Sequence, residues 1–216
     1  MPPAPDRVTH RWPVTLEHGD LVLRPFRRRD QEEWLAVRAR NRDWLKPWDA
    51  TNPEPETALK NFAEMVRVLN RSGRDGTALP WLICLRVSAG GQPVIVGQLS
   101  VSSIVRGSAL SASLGYWIDQ ARAGAGIVPT AVALATDHCF TALGLHRMEI
   151  NIRPENAASL RVVQKLGFRH EGLRRDFLHI DGAWRDHESF ALTAPEVPEG
   201  LLARLRARGN TPGNPG

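Results

Sequence analysis

Apolar positions along the chain follow two rhythms, and their succession lays out most of a fold. Residues 20–26, DLVLRPF, alternate and stop at Pro25, as a first strand does. The stretch 27–45 follows, with Asp30 as a cap and acidic residues in its first turn, which reads as a helix start. Leu59, Phe62, Ala63, Val66 and Leu69 recur at helical spacing and mark a second helix. Residues 78–88 read as a strand with Trp81, Ile83, Leu85 and Val87 on one face, and 93–105 as the next strand. Arg106, Gly107 and Ser108 turn the chain into a further strand ending at 118. A helix then carries Val128, Ala131, Val132, Ala135 and Cys139 as its apolar stripe. Residues 146–152 alternate Met148, Ile150 and Ile152 against polar neighbours, a strand again. A helix over 154–168 has Asn156 near its cap and Gly167 at its end, the position that favours glycine. Strands at 169–180 and 183–193 flank Asp181-Gly182, a strong hairpin signal.

The order β-α-α-β-β-β-α-β-α-β-β has antiparallel hairpins at both ends and one strand–loop–helix–strand crossover in the middle. That predicts a mixed α/β fold rather than a doubly wound parallel sheet. One domain over 18–195 is expected, after an N-terminal extension at 1–17 and before a C-terminal tail at 196–216. The closing NTPGNPG is expected to be disordered. No internal repeat is present.

Composition narrows the classes. The 216 residues suffice for one full core, and no apolar run nears the roughly 20 residues of a membrane span. The N-terminus MPPAPDRVTHRWP has no apolar signal core, and Cys84 and Cys139 read as buried thiols, so a reducing cytoplasm is the expected setting. The formal charge is +5, carried almost entirely by arginine. It points either to polyanions such as ribosomal RNA or a phosphorylated cofactor, or to a coding bias for arginine. The runs 24–30 and 203–209 read as solvated faces, since no aromatic residues interleave them. His138, His146 and His187 have no ligand spacing, so no metal is expected.

The most chemical stretch is 121–128, a glycine-containing loop opening into a helix. Gly124 and Gly126 are followed by Pro129 where a dinucleotide fingerprint needs a third glycine or alanine, and no Gly-Lys-Ser/Thr completes a Walker loop. A plain tight turn and a pyrophosphate cradle remain. The cradle reading uses the backbone N–H groups at a helix N-terminus, which bind phosphate oxygens that small side chains allow to approach.

The surrounding segments decide between them. NRDWLKPW (41–48), IVRGS (104–108), LGYWI (114–118), AGAGIV (123–128), RPENAASLRVVQKLGF (153–168) and DFLHIDGAWRDH (176–187) together resemble the RimJ/RimL branch of the Gcn5-related N-acetyltransferases, the ribosomal-protein-alanine acetyltransferases. Within that branch LKPW and VRGS point to the RimJ side. The resemblance covers roughly 18–195. It implies a GNAT-like, mostly antiparallel central sheet flanked by helices, with acetyl-CoA bound where two parallel strands splay apart. The acceptor it implies is a protein N-terminal α-amine, on the RimJ side that of a ribosomal protein beginning with Ala. Ribosome contact through the basic surface is a further expectation; the oligomeric state, monomer or homodimer, stays open.

By the family pattern, Leu114, Tyr116, Trp117 and Ile118 hold the pantetheine and acetyl carbonyl, and Ala123, Gly124, Ala125, Gly126, Ile127 and Val128 take the pyrophosphate. Asn156 and Ser159 sit beside the thioester sulfur. Three departures matter. Ala123 stands where the family loop usually begins with Gln or Arg, Val163 where many members carry the tyrosine that protonates the leaving thiolate, and Ser113 where many relatives place a glutamate base. Ser159 or water then supplies the acid, and Asp186 becomes a base candidate acting through water. Trp48, Arg106 and Trp184 are the acceptor-side candidates, and Trp44 is expected to cap the helix core.

An α-amine titrates near 7.7–8 and a lysine near 10.4, so a lysine needs about 2.5 pKa units of help, roughly 3.4 kcal/mol. A site without a motif-supported base suits N-termini better than lysines. Two alternatives stay open: acetylation of small amines such as polyamines, amino sugars or aminoglycosides, and a non-catalytic acyl-CoA-binding regulatory module.

Overall fold

The computed structural model describes residues 12–54, 61–87 and 91–209. Leu59 and the 210–216 segment lie outside them. Eight strands form one sheet: β1 (Leu16–His18), β2 (Leu21–Pro25), β3 (Leu79–Leu85), β4 (Val94–Val105), β5 (Ser111–Ile118), β6 (Arg147–Ile152), β7 (Arg169–Ile180) and β8 (Ala183–Thr193). Their spatial order is β1-β2-β3-β4-β5-β6-β8-β7. The helices are α1 (Gln31–Arg40), α2 (Arg42–Leu45), α3 (Phe62–Arg74), α4 (Ile127–Thr141), α5 (Ala157–Leu166) and α6 (Leu201–Gly209). This is the mixed, mostly antiparallel sheet that the sequence order predicts.

Strand alternation divides the core between the two faces of the sheet. On β3, Trp81 and Ile83 join the larger core with Val132, Met148, Leu166 and Leu201, while Leu82 and Cys84 face Val22, Phe26, Val37, Phe62 and Val66. The larger core lies under α4, α5 and α6, and the smaller under α1 and α3. Both thiols are buried, as their apolar settings require.

The one parallel pair is β5 with β6, and it runs only from Ser111–Arg147 to Ser113–Glu149. Beyond that point β5 continues to Ile118, paired on β4 alone, and β6 turns to β8. The sheet therefore opens between residues 114–118 and 150–152. That opening places the site.

Several features depart from the sequence pattern. The stretch 27–45 is two helices, because Asn41 leaves the helical path and turns its buried side chain to partners elsewhere. Val87 lies past the end of β3 and is 59% exposed. The extension at 1–17 contributes Trp12, packed on Trp81 with ring centroids 5.9 Å apart, and the start of β1. The tail from 196 contains α6, whose Leu201 is wholly buried. Asp137 accepts from the backbone N–H of Leu201 at 2.6 Å and of Leu202 at 3.0 Å, satisfying amides that a helix start leaves open. The arginines of 203–209 are not simply solvated: Arg208 donates to the Lys165 carbonyl at 2.9 Å, at the C-terminal end of α5 where cations are favoured.

Candidate active site

The opening between β5 and β6 leads into a cavity of about 450 Å³ under α4 and α5. Tyr116, Trp117 and Ile118 form one wall, Ala123, Gly124, Gly126, Ile127 and Val128 another, and Asn156, Ser159 and Val162 a third. Trp44 and Trp48 close the remaining side. Trp44 is thus a cavity wall and not a cap on the helix core.

The glycine loop has the conformation that a cradle requires. Gly124 and Gly126 have φ of 79° and 75°, the left-handed region that side chains avoid, and a Cβ added at either would meet nothing within 4 Å. The side of the loop where side chains would stand is therefore open, and both glycines face the cavity. Among the described residues, the amides of 124–128 donate to no other backbone group. The Ala123 amide differs, since it closes on the Gln120 carbonyl at 3.1 Å. The available donors therefore begin at Gly124 and end at Val128, before Pro129. Ala125 belongs to this arc but does not line the cavity.

The side-chain cation that Ala123 cannot supply comes from elsewhere. Arg122, Arg161 and Lys165 line the same cavity. Arg161 and Lys165 fall with Ala158 and Val162 at i, i+3, i+4 and i+7 along α5, a helical stripe legible in the sequence once Ser159 is placed.

The base of the loop is fixed by a polar knot between α1 and the end of β5. Asp119 is buried, and its carboxylate accepts from Arg40 at 2.5 Å and from the Asn41 amide at 2.9 Å. The Asn41 side-chain oxygen in turn accepts the Gln120 N–H at 2.9 Å. Burial raises the Asp119 pKa, but the hydrogen bonds from Arg40, Asn41 and the Ala121 amide outweigh it and hold the group below its usual value. No local pattern announces this knot, whose partners lie 78 and 79 residues apart.

At the mouth of the opening, Asn156 caps α5 by accepting the Ser159 amide at 3.0 Å. Asn156 thereby positions Ser159. The Tyr116 hydroxyl reaches Ser159 from the opposite strand; it is sealed from solvent and completes no hydrogen bond of good geometry. Burial pushes its pKa up to about 12, against a smaller lowering by Ser159, so the phenol stays protonated. Val163 is fully buried in the main core and lines none of the cavities. A phenol is thus present after all, on β5 rather than α5.

Two smaller cavities of about 190 Å³ each open from the same point on the far side of Tyr116. One runs along Trp48, Asp49, Ala50, Gln98 and Gly115. The other runs from Leu114, Asn156 and Ser159 to Leu178, Ile180 and His187. The loop after α2 roofs both. Thr51 N–H donates to the His179 carbonyl at 2.9 Å, and Ala50 bridges Ile180. Arg153 donates to the Pro47 carbonyl at 2.6 Å and lies 5.4 Å from the Trp48 ring. Asp49 is engaged by Arg38 at 2.5 Å, which leaves the slots with no unpaired carboxylate among their lining residues.

Leu114 lines the second slot and not the larger cavity. Besides Ala125, three of the expected residues are not brought to any of the cavities. Arg106 donates to the Leu143 carbonyl at 2.6 Å, drawn to the open carbonyls after α4. Trp184 is 55% exposed on the outer face of the hairpin, its ring against His179. Asp186 accepts the Asp176 N–H at 2.9 Å, satisfying the irregular backbone where β7 bulges. Alternation along β8 turns its neighbour, His187, inward instead. No group of ligands that could hold a metal ion occurs among the described residues.

A sheet parted over a glycine cradle at a helix N-terminus defines an acyl-transfer scaffold, and the chain belongs to the acetyltransferase (GNAT) domain family, whose pattern matches residues 20–169. It is an acetyl-CoA-dependent N-acetyltransferase of that family. It is similar to Mycobacterium smegmatis RimJ solved in complex with CoA-disulfide, at 38% identity and a TM-score of 0.82, covering 92% of this chain and 96% of that one. It is 32% identical over 187 residues to the [ribosomal protein uS5]-alanine N-acetyltransferase of Escherichia coli (strain K12), covering 87% of this chain and 94% of the relative. The probable N-acetyltransferase YjcK of Bacillus subtilis (strain 168) is 30% identical over 185 residues, covering 84% and 98% respectively. No helix among the described residues is long and apolar enough to cross a membrane.

Proposed function

We propose that the chain transfers the acetyl group to the N-terminal α-amine of a protein, and that the acceptor is a ribosomal protein beginning with Ala. The observation that carries this reading is the pair of small slots opening from Ser159 and Tyr116. They have room for a small first residue and lack an unpaired carboxylate to hold a second cation. A polyamine or aminoglycoside calls for an acidic pocket. The uS5-alanine acetyltransferases among the relatives support the same choice.

When bound, acetyl-CoA supplies an activated acetyl thioester. The chain's own residues do the rest. Amides of Gly124 to Val128 hold the pyrophosphate, with Arg122, Arg161 and Lys165 offering charge at the cavity wall. The unpaired edge of β5 from Leu114 to Ile118 orients the pantetheine arm, and Trp117 and Ile118 exclude water. Ser159, fixed by Asn156 and faced by the neutral Tyr116 phenol, gives a proton to the departing sulfur. Trp48, held by Arg153, forms the wall shared by donor and acceptor spaces.

The test compares a free Ala-initiated peptide, the same peptide blocked at its N-terminus but containing lysine, and spermidine. The free peptide should show the highest kcat/KM, rising between about pH 7 and 8.5 as its amine deprotonates. A higher kcat/KM for the blocked peptide or for spermidine rejects the N-terminal reading.

A further inference from the structure

We infer that His187, a residue the family motif offers only as the close of WRDH, takes the proton from the attacking amine. The inference rests on the amine-acetylation reading above and deepens it. His187 is buried on β8 yet lines the same slot as Ser159, Asn156 and Tyr116, so an acceptor lying in that slot is bordered by the sulfur-side groups and by the imidazole together. The ring is oriented on two sides. Its Nδ1 lies 2.9 Å from the Arg185 carbonyl, which can only accept, so Nδ1 carries the hydrogen and Nε2 is the bare nitrogen. Phe177 packs edge-on at 5.9 Å and fixes the plane. With Nδ1 committed to the Arg185 carbonyl, Nε2 is the ring nitrogen left to serve the slot that His187 lines.

The charges around the ring leave it neutral. Burial lowers its pKa; the Arg185 carbonyl raises it, Arg153 lowers it, and Glu155 and Asp186 raise it, for a net value below the ordinary one. Arg174, paired with His187 across the hairpin, is held by Glu149 at 3.0 Å, and Asp176 gives its N–H to Asp186. A neutral imidazole near the acceptor is the base that Ser113 cannot supply and that Asp186, committed to Asp176, does not reach.

The step balances without a further reagent. The amine nitrogen forms the bond to the acetyl carbonyl carbon as the carbon–sulfur bond breaks. The nitrogen's proton passes to His187 Nε2 and then to water. Ser159 gives the sulfur a proton that water replaces.

The experiment measures kcat/KM against pH for the wild type and His187→Asn, whose side-chain amide can keep the bond to the Arg185 carbonyl. The acceptor is whichever of the three amines above the wild type acetylates best. Acetyl-CoA binding by calorimetry is measured alongside. Below the His187 pKa, which burial holds under the ordinary imidazole value, the wild-type acid limb should steepen from a slope of about one to about two, because both amine and imidazole must be neutral. In His187→Asn the slope should stay near one, kcat/KM at pH 7 should fall by about 10–100-fold, and acetyl-CoA binding should be unchanged. Added imidazole should restore part of the rate to His187→Gly. A variant within twofold of wild type, or one that is slower yet keeps the steep limb, overturns the inference. If neither variant folds, a wild-type limb with a slope of one throughout overturns it alone. A wild type that binds acetyl-CoA but acetylates none of the three amines removes the amine reading itself, and this inference with it.

Discussion

The two sides of Tyr116 are built on different principles. The donor side is one cavity of about 450 Å³ whose polar recognition comes from backbone amides and from cations carried on a helix. The acceptor side is two slots of about 190 Å³, bounded by the loop after α2 and by an irregular hairpin, and recognised by side chains. A backbone site tolerates many sequences provided the glycines remain, whereas a side-chain site changes with each substitution. On the function proposed above, donor binding is the shared property of the fold, and acceptor choice would reside in Trp48, Ala50, Leu178, Ile180 and His187, which line the slots.

Variants can separate the two sides. The largest effect is expected for Gly126→Val. A β-branched residue at φ 75° strains the loop and fills the cradle. Acetyl-CoA binding should weaken about 100-fold, or ~2.8 kcal/mol, and calorimetry reads this directly. Wild-type affinity in this variant would sink the cradle assignment. Next is Ser159→Ala, which should lower kcat by up to about 100-fold with little change in KM for acetyl-CoA, because the proton is needed in the transition state. Steady-state kinetics that leave kcat unchanged would reduce Ser159 to a helix-start residue.

Asp119→Ala removes the knot beneath the donor loop and strands Asn41, at an expected cost of about 2 kcal/mol in denaturant unfolding. Since the folded-state pKa of Asp119 is depressed, its contribution is complete above the unfolded carboxylate pKa of about 3.9 and is lost as pH falls through the folded value. The gap between wild type and variant should accordingly narrow only in acid, and a gap that widens there would contradict the assignment. On the acceptor side alone, Ala50→Leu should raise the acceptor KM about 10-fold, ~1.4 kcal/mol, with acetyl-CoA affinity unchanged. A change confined to acetyl-CoA binding would mean the two sides had been exchanged. The smallest effect is expected for Asp186→Asn, within about twofold in kcat/KM, as for a surface substitution. A drop as large as that for His187→Asn would return the proton relay to Asp186.

The donor side was the more legible in sequence. Gly124 and Gly126 between a strand and a helix left a plain turn and a cradle both open, and it was the resemblance carried by the surrounding segments that implied the cradle, the parted parallel strands and the place of Asn156 and Ser159. The Asp181-Gly182 turn signal also announced the hairpin of β7 and β8. What escaped depends on contacts far apart in the chain. The Arg40–Asn41–Asp119 knot, the docking of α6 through Asp137 and the meeting of Tyr116 with Ser159 have no local periodicity to announce them. Asp186 and His187 show the sharper limit. Adjacent residues on a strand face opposite ways, and the bulges in the β7–β8 pairing decide which of them turns inward.

The brevity of the β5–β6 contact has a mechanical consequence. The sheet is two panels, β1 to β5 and β6 to β8, joined edge to edge along only the short stretch from Ser111–Arg147 to Ser113–Glu149. Such a seam resists prying apart mainly near one end. On the function proposed above, a donor spanning residues 114–118 on one panel and the start of α5 beyond the other would act as a strut across the open end. It would couple the panels and stiffen the roof loop that Arg153 ties to the second panel. Saturating acetyl-CoA should then raise the unfolding temperature, by mass action worth about 2.7 kcal/mol at a hundred times Kd. It should also slow amide exchange along β6 and β8, strands well removed from the pyrophosphate loop.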